Sequence, residues 1–136
     1  MNLTSDHATD APATPDAHGP AASETPLLDH ERLDVYRVTL EFAAMVPDLA
    51  RTARPSLRDQ LERASASIAL NLAEGCARRT KRDRHHFFTM SQGSAMECAA
   101  AIDLLRVTGH ASSSDVARAK HKVARIVQML VGLRRR

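Results

Sequence analysis

Apolar side chains return every three or four residues along four separate stretches of this chain, the repeat of a helix with one buried face. In the first stretch Val35, Val38, Phe42, Met45 and Leu49 form the stripe, which predicts a helix over residues 29–51. Pro47 falls inside it and lacks the N–H of an interior helical bond, so a kink or an early stop near Val46 is expected. Pro55 and Ser56 punctuate the link to a second helix over 56–74, with Leu57, Leu61, Ala64, Ile68 and Leu72 inward and Gly75 placed as its C-cap. A third helix over 80–108 opens on Thr80-x-x-Asp83, a capping box with Asp in the usual Glu position, and stops at Gly109. It carries two stripes. Phe88, Ala95, Cys98, Ile102 and Leu105 form one; Phe87, Met90, Ser94, Ala101 and Leu104 form the other, and together they predict burial on two sides. After Ser112, Ser113 and Ser114, a fourth helix sets Val116, Ala119, Val123, Ile126, Leu130 and Leu133 at a/d spacing. No strand-like alternation and no internal repeat competes with this reading.

Helices joined by short links pack as antiparallel neighbours. The fold class is therefore all-α, an up-down-up-down four-helix bundle over residues 30–136. Residues 1–29 stand apart: Pro12, Pro15, Pro20 and Pro26 are spread among Ala, Thr, Ser, Asp and His. Such a segment buries too little apolar surface to offset its ordering entropy, and a disordered N-terminal tail is predicted.

Composition agrees with helices. The 136 residues suffice for one core, yet only Tyr36, Phe42, Phe87 and Phe88 are aromatic, so the core is built from Ala, Leu, Val, Ile and Met. No stretch is long and apolar enough to span a bilayer, and no basic start followed by an apolar run marks a signal peptide. The chain reads as cytoplasmic, without a membrane partner. If residues 81–108 are helical, Cys98 lies roughly 25–30 Å along that helix from the end that holds Cys76, so a disulfide is out of reach and both thiols are free.

Charge is unevenly spread. Residues 1–30 hold Asp6, Asp10, Asp16, Glu24 and Asp29 and no Lys or Arg, so the remainder carries all 19 basic residues against 11 acids, a net +8. An acidic tail on a basic body points to an anionic partner. Sixteen of the basic residues are Arg; GC-rich codon usage accounts for that total equally well, but less well for the clustering. Arg78, Arg79, Lys81, Arg82 and Arg84 crowd seven positions between the second and third helices. In an up-down bundle that link lies at the same end as Arg134, Arg135 and Arg136, and the tail emerges there too. Cations in the first turn of a helix oppose its dipole, by about 0.3–1 kcal/mol each when exposed. A helix N-terminus ringed by basic side chains is also a natural seat for phosphate.

The segment Gln60-Leu61-x-Arg63-Ala64-Ser65-x-Ser67-Ile68-x-x-Asn71-Leu72-Ala73-Glu74-Gly75, with Gln92-Gly93-Ser94-x-x-Glu97 further on, resembles a known family: the four-helix-bundle proteins named for 23S rRNA intervening sequences. The likeness covers roughly residues 30–133. It implies a left-handed four-helix bundle that assembles as a ring-like homopentamer. A related group, the accessory proteins of diversity-generating retroelements, forms basic pentamers that bind nucleic acid and a reverse transcriptase; the analogy carries a fold, not a function. This chain departs from the pattern in its long acidic tail, in Ser91 where a small apolar residue is usual, and in the Arg-rich link.

No mechanism assembles from the remaining chemistry. A catalytic carboxylate pair would need Glu74 and Glu97 to converge, and the up-down geometry sets them at different levels. Glu74 is expected to pair with an Arg such as Arg78. Gly93 and Ser94 are expected to let helices approach closely. A di-iron bundle needs two Glu-x-x-His motifs, and only Asp83-x-x-His86 comes near; His85, His86 and Cys76 lack zinc-site spacing. Phosphate loops and dinucleotide fingerprints are absent. The sequence therefore assigns no catalytic residue, metal or cofactor. It predicts an oligomeric protein whose basic end binds RNA or DNA backbone, with a protein-interaction scaffold as the alternative. Phe87 and Phe88 beside the basic run are expected to be buried, one in the bundle and one against a neighbouring subunit, rather than stacked on bases.

Overall fold

The computed structural model describes residues 25–136; the expected tail falls almost wholly outside that range. A single 3-10 turn, Asp29–Arg32, leads into α1 (Asp34–Leu49), α2 (Pro55–Cys76), α3 (Lys81–Val107) and α4 (Ser113–Arg134). The helices close a ring of neighbours: α1 packs on α2 and α4, and α3 packs on α2 and α4, while the diagonal pairs stay apart. This is the up-down-up-down bundle expected of short links, and no strand occurs among the described residues.

Each helix buries most of a predicted stripe, with Met45, Leu57 and Leu133 only partly buried against it. Val35, Val38, Phe42 and Leu49 of α1, Leu61, Ala64, Ile68 and Leu72 of α2, Phe88, Ala95, Cys98, Ile102 and Leu105 of α3, and Val116, Ala119, Val123, Ile126 and Leu130 of α4 form one continuous core. Three polar residues are buried with it, Thr39, Ser65 and Ser91. Each spends its hydroxyl on a carbonyl: Thr39 on Val35 (2.7 Å), Ser65 on Glu62 (2.9 Å) and Ser91, across the seam, on Ile68 (2.8 Å). No buried side-chain polar atom among the described residues lacks a partner, as burial without a hydrogen bond would cost about 1–3 kcal/mol.

The helix ends follow local chemistry. Thr80 and Ser112 cap α3 and α4, accepting from the N–H groups of Asp83 and Asp115 at 3.1 Å. Gly109, at φ 75°, ends α3. The N–H of Gly109 reaches the Arg106 carbonyl and that of His110 reaches Leu105, the paired bonds of a Schellman cap that a positive φ permits.

Four expectations need correction. The first helix is broken at Leu33, which is extended (φ −85°, ψ 129°), because Glu31 turns back to accept the Leu28 N–H at 2.6 Å and closes a separate turn. Pro47 does not stop α1 at Val46; it sits exposed in the last turn, and the helix runs on to Leu49. Gly75 is no C-cap: α2 continues to Cys76, and Gly75 is buried inside it. The second stripe of α3 is only partly buried within the chain: Ala101 is buried and Phe87 and Ser94 are half-buried, but Met90 and Leu104 are 44% and 50% exposed.

Candidate nucleic-acid interface

The second and third helices meet through a short link whose geometry is held by three contacts. Arg78 forms an ion pair with Glu74, one turn back on α2. Its guanidinium also lies 4.7 Å from the centroid of the Phe87 ring, which is itself met edge-on by His86. Thr80 then caps α3. Arg78 is thus fixed by a carboxylate on one side and an aromatic face on the other, a cation–π contact worth about 0.5–1 kcal/mol when exposed.

The other cations of the link are not held this way. Arg79, Lys81, Arg82 and Arg84 are all exposed, and none has a carboxylate partner among the described residues. They surround the N-terminus of α3, where Asp83 is the one acid of the first turn. A cleft of about 440 Å³ is lined by Lys81, Arg84 and His85 of α3, by Leu133 and Arg136 at the end of α4, and by Leu33 before α1, with the buried Phe88 as part of its floor. The link and the C-terminal end of α4 therefore do meet at one end of the bundle. Arg135 and Arg136 are exposed there, whereas Arg134 is half-buried and donates to Oε1 of Gln92 on α3. That bond ties the Arg134 side chain to the α3–α4 seam, although the neutral amide leaves its charge uncompensated.

The sequence alone marks His85 only as a poor zinc ligand. Its position one turn after Lys81 is the signal that places it in this cleft, because residues four apart share a helix face. The opposite end of the bundle also carries cations that the sequence pattern does not single out: Arg51 and Arg54 in the α1–α2 link, Arg58 at the start of α2 and Arg106 in the last turn of α3. Arg58 is partly engaged, donating to the Arg51 carbonyl at 3.4 Å.

The motif residues divide by role. Asn71 donates through Nδ2 to the carbonyl (2.9 Å) and hydroxyl (3.0 Å) of Ser67, and the Ser94 hydroxyl donates to Ser67 Oγ at 2.8 Å. This ladder stitches α2 to α3. Gly75 admits the Phe88 ring. Gln60, Arg63 and Glu97 are exposed, and Gly93 faces open space: a Cβ there would meet nothing within 4 Å. The expected close approach at Gly93 is thus not made inside this chain. Glu74 and Glu97 do not converge either. The Ser67–Ser94 and Gly75–Phe88 contacts set the register of α2 on α3, which leaves Glu97 about ten residues, or about 15 Å, along the bundle from the level of Glu74.

Burial, with a smaller opposing pull from Arg84 and a push from Asp29, raises the Cys76 thiol above its ordinary range; burial pushes Cys98 up to about 12. Both cysteines are free. Among the described residues no group of three His, Cys, Asp or Glu is gathered to hold a metal ion, and no helix is long and apolar enough to cross a membrane.

These features define an all-α antiparallel bundle with a polar-stitched α2–α3 seam and a basic end. Residues 31–132 match the family described as 23S rRNA-intervening sequence protein, and the chain belongs to that family. Among solved structures it is similar to a protein of unknown function from Bacteroides thetaiotaomicron, assigned to the S23 ribosomal protein family. The two are 19% identical with a TM-score of 0.70, over 75% of this chain and 99% of that one. At that identity the likeness speaks to the fold alone. No curated protein matches the chain.

Proposed function

We propose that this protein is a non-enzymatic homo-oligomer that binds the phosphate backbone of RNA or DNA through its basic end. One observation carries the reading: six exposed cations without carboxylate partners among the described residues, Arg79, Lys81, Arg82, Arg84, Arg135 and Arg136, gather where α2 hands over to α3 and α4 ends. Mutual repulsion makes that arrangement unfavourable by itself, and the α3 dipole opposes Lys81, Arg82 and Arg84 in its first turn, while the end of α4 suits Arg135 and Arg136; a polyanion relieves the repulsion and the opposition at α3. Contact with phosphates is sequence-tolerant and releases counterions, so binding weakens steeply with salt. The few aromatic residues argue against base readout. Phe88 is 2% exposed and Phe87 is covered by Arg78.

Assembly is supported by the outward face of α3. Gly93, Met96, Ala100, Leu104 and Val107 follow one another at helical spacing on the side away from the core, and all are exposed. An exposed mid-helix glycine costs about 1 kcal/mol against alanine, a cost that close contact with a second copy offsets. The pentamer implied by family resemblance would present the basic end five times over and raise avidity for a long polyanion.

The test is anisotropy of labelled RNA and DNA duplexes titrated with protein at several salt concentrations; binding with a steep salt slope is expected, and none even at low salt would remove the reading. The same apolar face of α3 favours a second reading, a scaffold for a protein partner with no nucleic-acid role. A partner retained through nuclease treatment and high salt would favour it.

A further inference from the structure

We propose that the acidic N-terminal segment, residues 1–24, docks on the basic end of its own bundle. There Asp6, Asp10, Asp16 and Glu24 pair with Arg79, Lys81, Arg82, Arg84, Arg135 and Arg136 and hold the surface against an external polyanion. The docking stands on charge and placement; only the competition rests on the nucleic-acid reading.

The placement comes from where the described chain begins. Leu28 and Asp29 line a groove with Glu74, Cys76 and Ala77 at the end of α2, immediately before Arg78 and Arg79. Leu33, five residues on, lines the cleft that Lys81, Arg84 and Arg136 share. The segment is thus tethered beside the cations. Residues 1–30 contain no Lys or Arg, so its ionisable acids meet no competing Lys or Arg within the segment.

Reach is ample. An extended chain covers about 3.5 Å per residue, so Glu24 swings about 14 Å from Leu28, and Asp16, Asp10 and Asp6 extend over several times that distance. Two helices abreast measure about 20 Å, so all six cations are within range. Attachment to the same chain over so short a span gives a local concentration of order mM, and a contact of only mM intrinsic strength is then about half formed. The far end of the bundle is a poorer seat. It lies about 33 Å away, the length of the 22-residue α2, and Asp48, Asp59 and Asp115 accompany its arginines. Lys120 and Lys122 are already paired, with Asp103 and Glu41.

The lysine distribution supplies a direct test, because Lys81, Lys120 and Lys122 are the three lysines of the chain and Lys81 alone lies at the basic end. Treating the full chain with a carbodiimide at low salt joins carboxylates to amines in contact, and peptide mass spectrometry locates the amides. The expected result is links from Lys81 to Asp6, Asp10, Asp16 or Glu24, at least about fivefold over links from Lys120 and Lys122, and abolished when salt shortens the Debye length to about 3 Å. Links spread evenly over the three lysines, insensitive to salt, or missing from Lys81 would overturn the docking. Competition is read separately. The variant D6N/D10N/D16N/E24Q is expected to bind labelled RNA about three- to tenfold more tightly at low salt and equally at high salt. Equal low-salt binding by variant and parent would overturn the competition. Absence of RNA binding by both would remove the nucleic-acid reading and leave the docking to stand or fall on the Lys81 links.

Discussion

A Cβ placed on Gly75 would stand 2.6 Å from Cε1 and 2.8 Å from Cδ1 of Phe88. The α2–α3 seam is therefore built around the absence of a side chain on α2 and the presence of a ring on α3. Phe88 is 2% exposed, so moving its ring aside would disturb the neighbours that bury it. Gly75→Ala gains helix propensity of about 1 kcal/mol and loses more to overpacking. The expected net cost is about 1–2 kcal/mol, read as a lower denaturation midpoint. An unchanged midpoint would mean that the seam relaxes freely.

Gly93→Ala reports on the other face of α3. Inside the chain the new methyl meets nothing, so the bundle gains about 0.5–1 kcal/mol if it stands alone. If that face is an interface between copies, the same methyl pushes them apart. We expect light scattering to give a smaller mass for the variant with helicity intact. A mass equal to that of the parent would place the interface elsewhere.

Arg78 is predicted to behave unlike its neighbours. Its ion pair with Glu74 is about half exposed and worth under about 1 kcal/mol, and its contact with Phe87 adds a similar amount. Arg78→Ala should lower thermal stability modestly while leaving the salt slope of RNA binding in place. A slope shallower by a full charge's worth would mean that Arg78 leaves Glu74 to meet phosphate.

Much of this architecture is legible in the chain because its causes are local. Thr80 and Ser112 announce helix starts by the chemistry of their hydroxyls, and Gly109 announces a stop because the cap needs a positive φ. The apolar stripes follow from the helical repeat. What stays hidden depends on a partner helix. Gly75 looks like a terminus until the Phe88 ring is seen against it. Arg134 looks like one of three equivalent arginines until Gln92 takes it up. The second stripe of α3 promises burial, yet no helix of the same chain covers Met90 or Leu104. Periodicity reports that a face is apolar and says nothing of which chain will cover it. Topology does bring Lys81, Arg84 and Arg136 to one cleft, as the order of short links requires.

The two thiols should separate by reactivity. The thiolate is the nucleophile, and burial raises both groups, Cys98 to about 12 and Cys76 in the same direction. In the folded protein near pH 8, alkylation is expected at Cys76, slowly, and not at Cys98; denaturant should make them equal. The sign for stability follows: an acid raised by folding adds stability below its unfolded pKa, which fades as pH rises from about 9 toward 12. Rapid labelling of Cys98 in the native state would mean that the core opens.

The central claim is that the cations around the start of α3 touch phosphate. The most direct measurement compares the salt dependence of RNA binding for the parent and for Arg79→Ala, Lys81→Ala and Arg84→Ala combined. Each phosphate that is no longer neutralised should take about 0.7–0.9 off the slope of log affinity against log salt. A slope shallower by about two to three, with weaker binding at low salt, is the predicted result. An unchanged slope with unchanged affinity would contradict the claim.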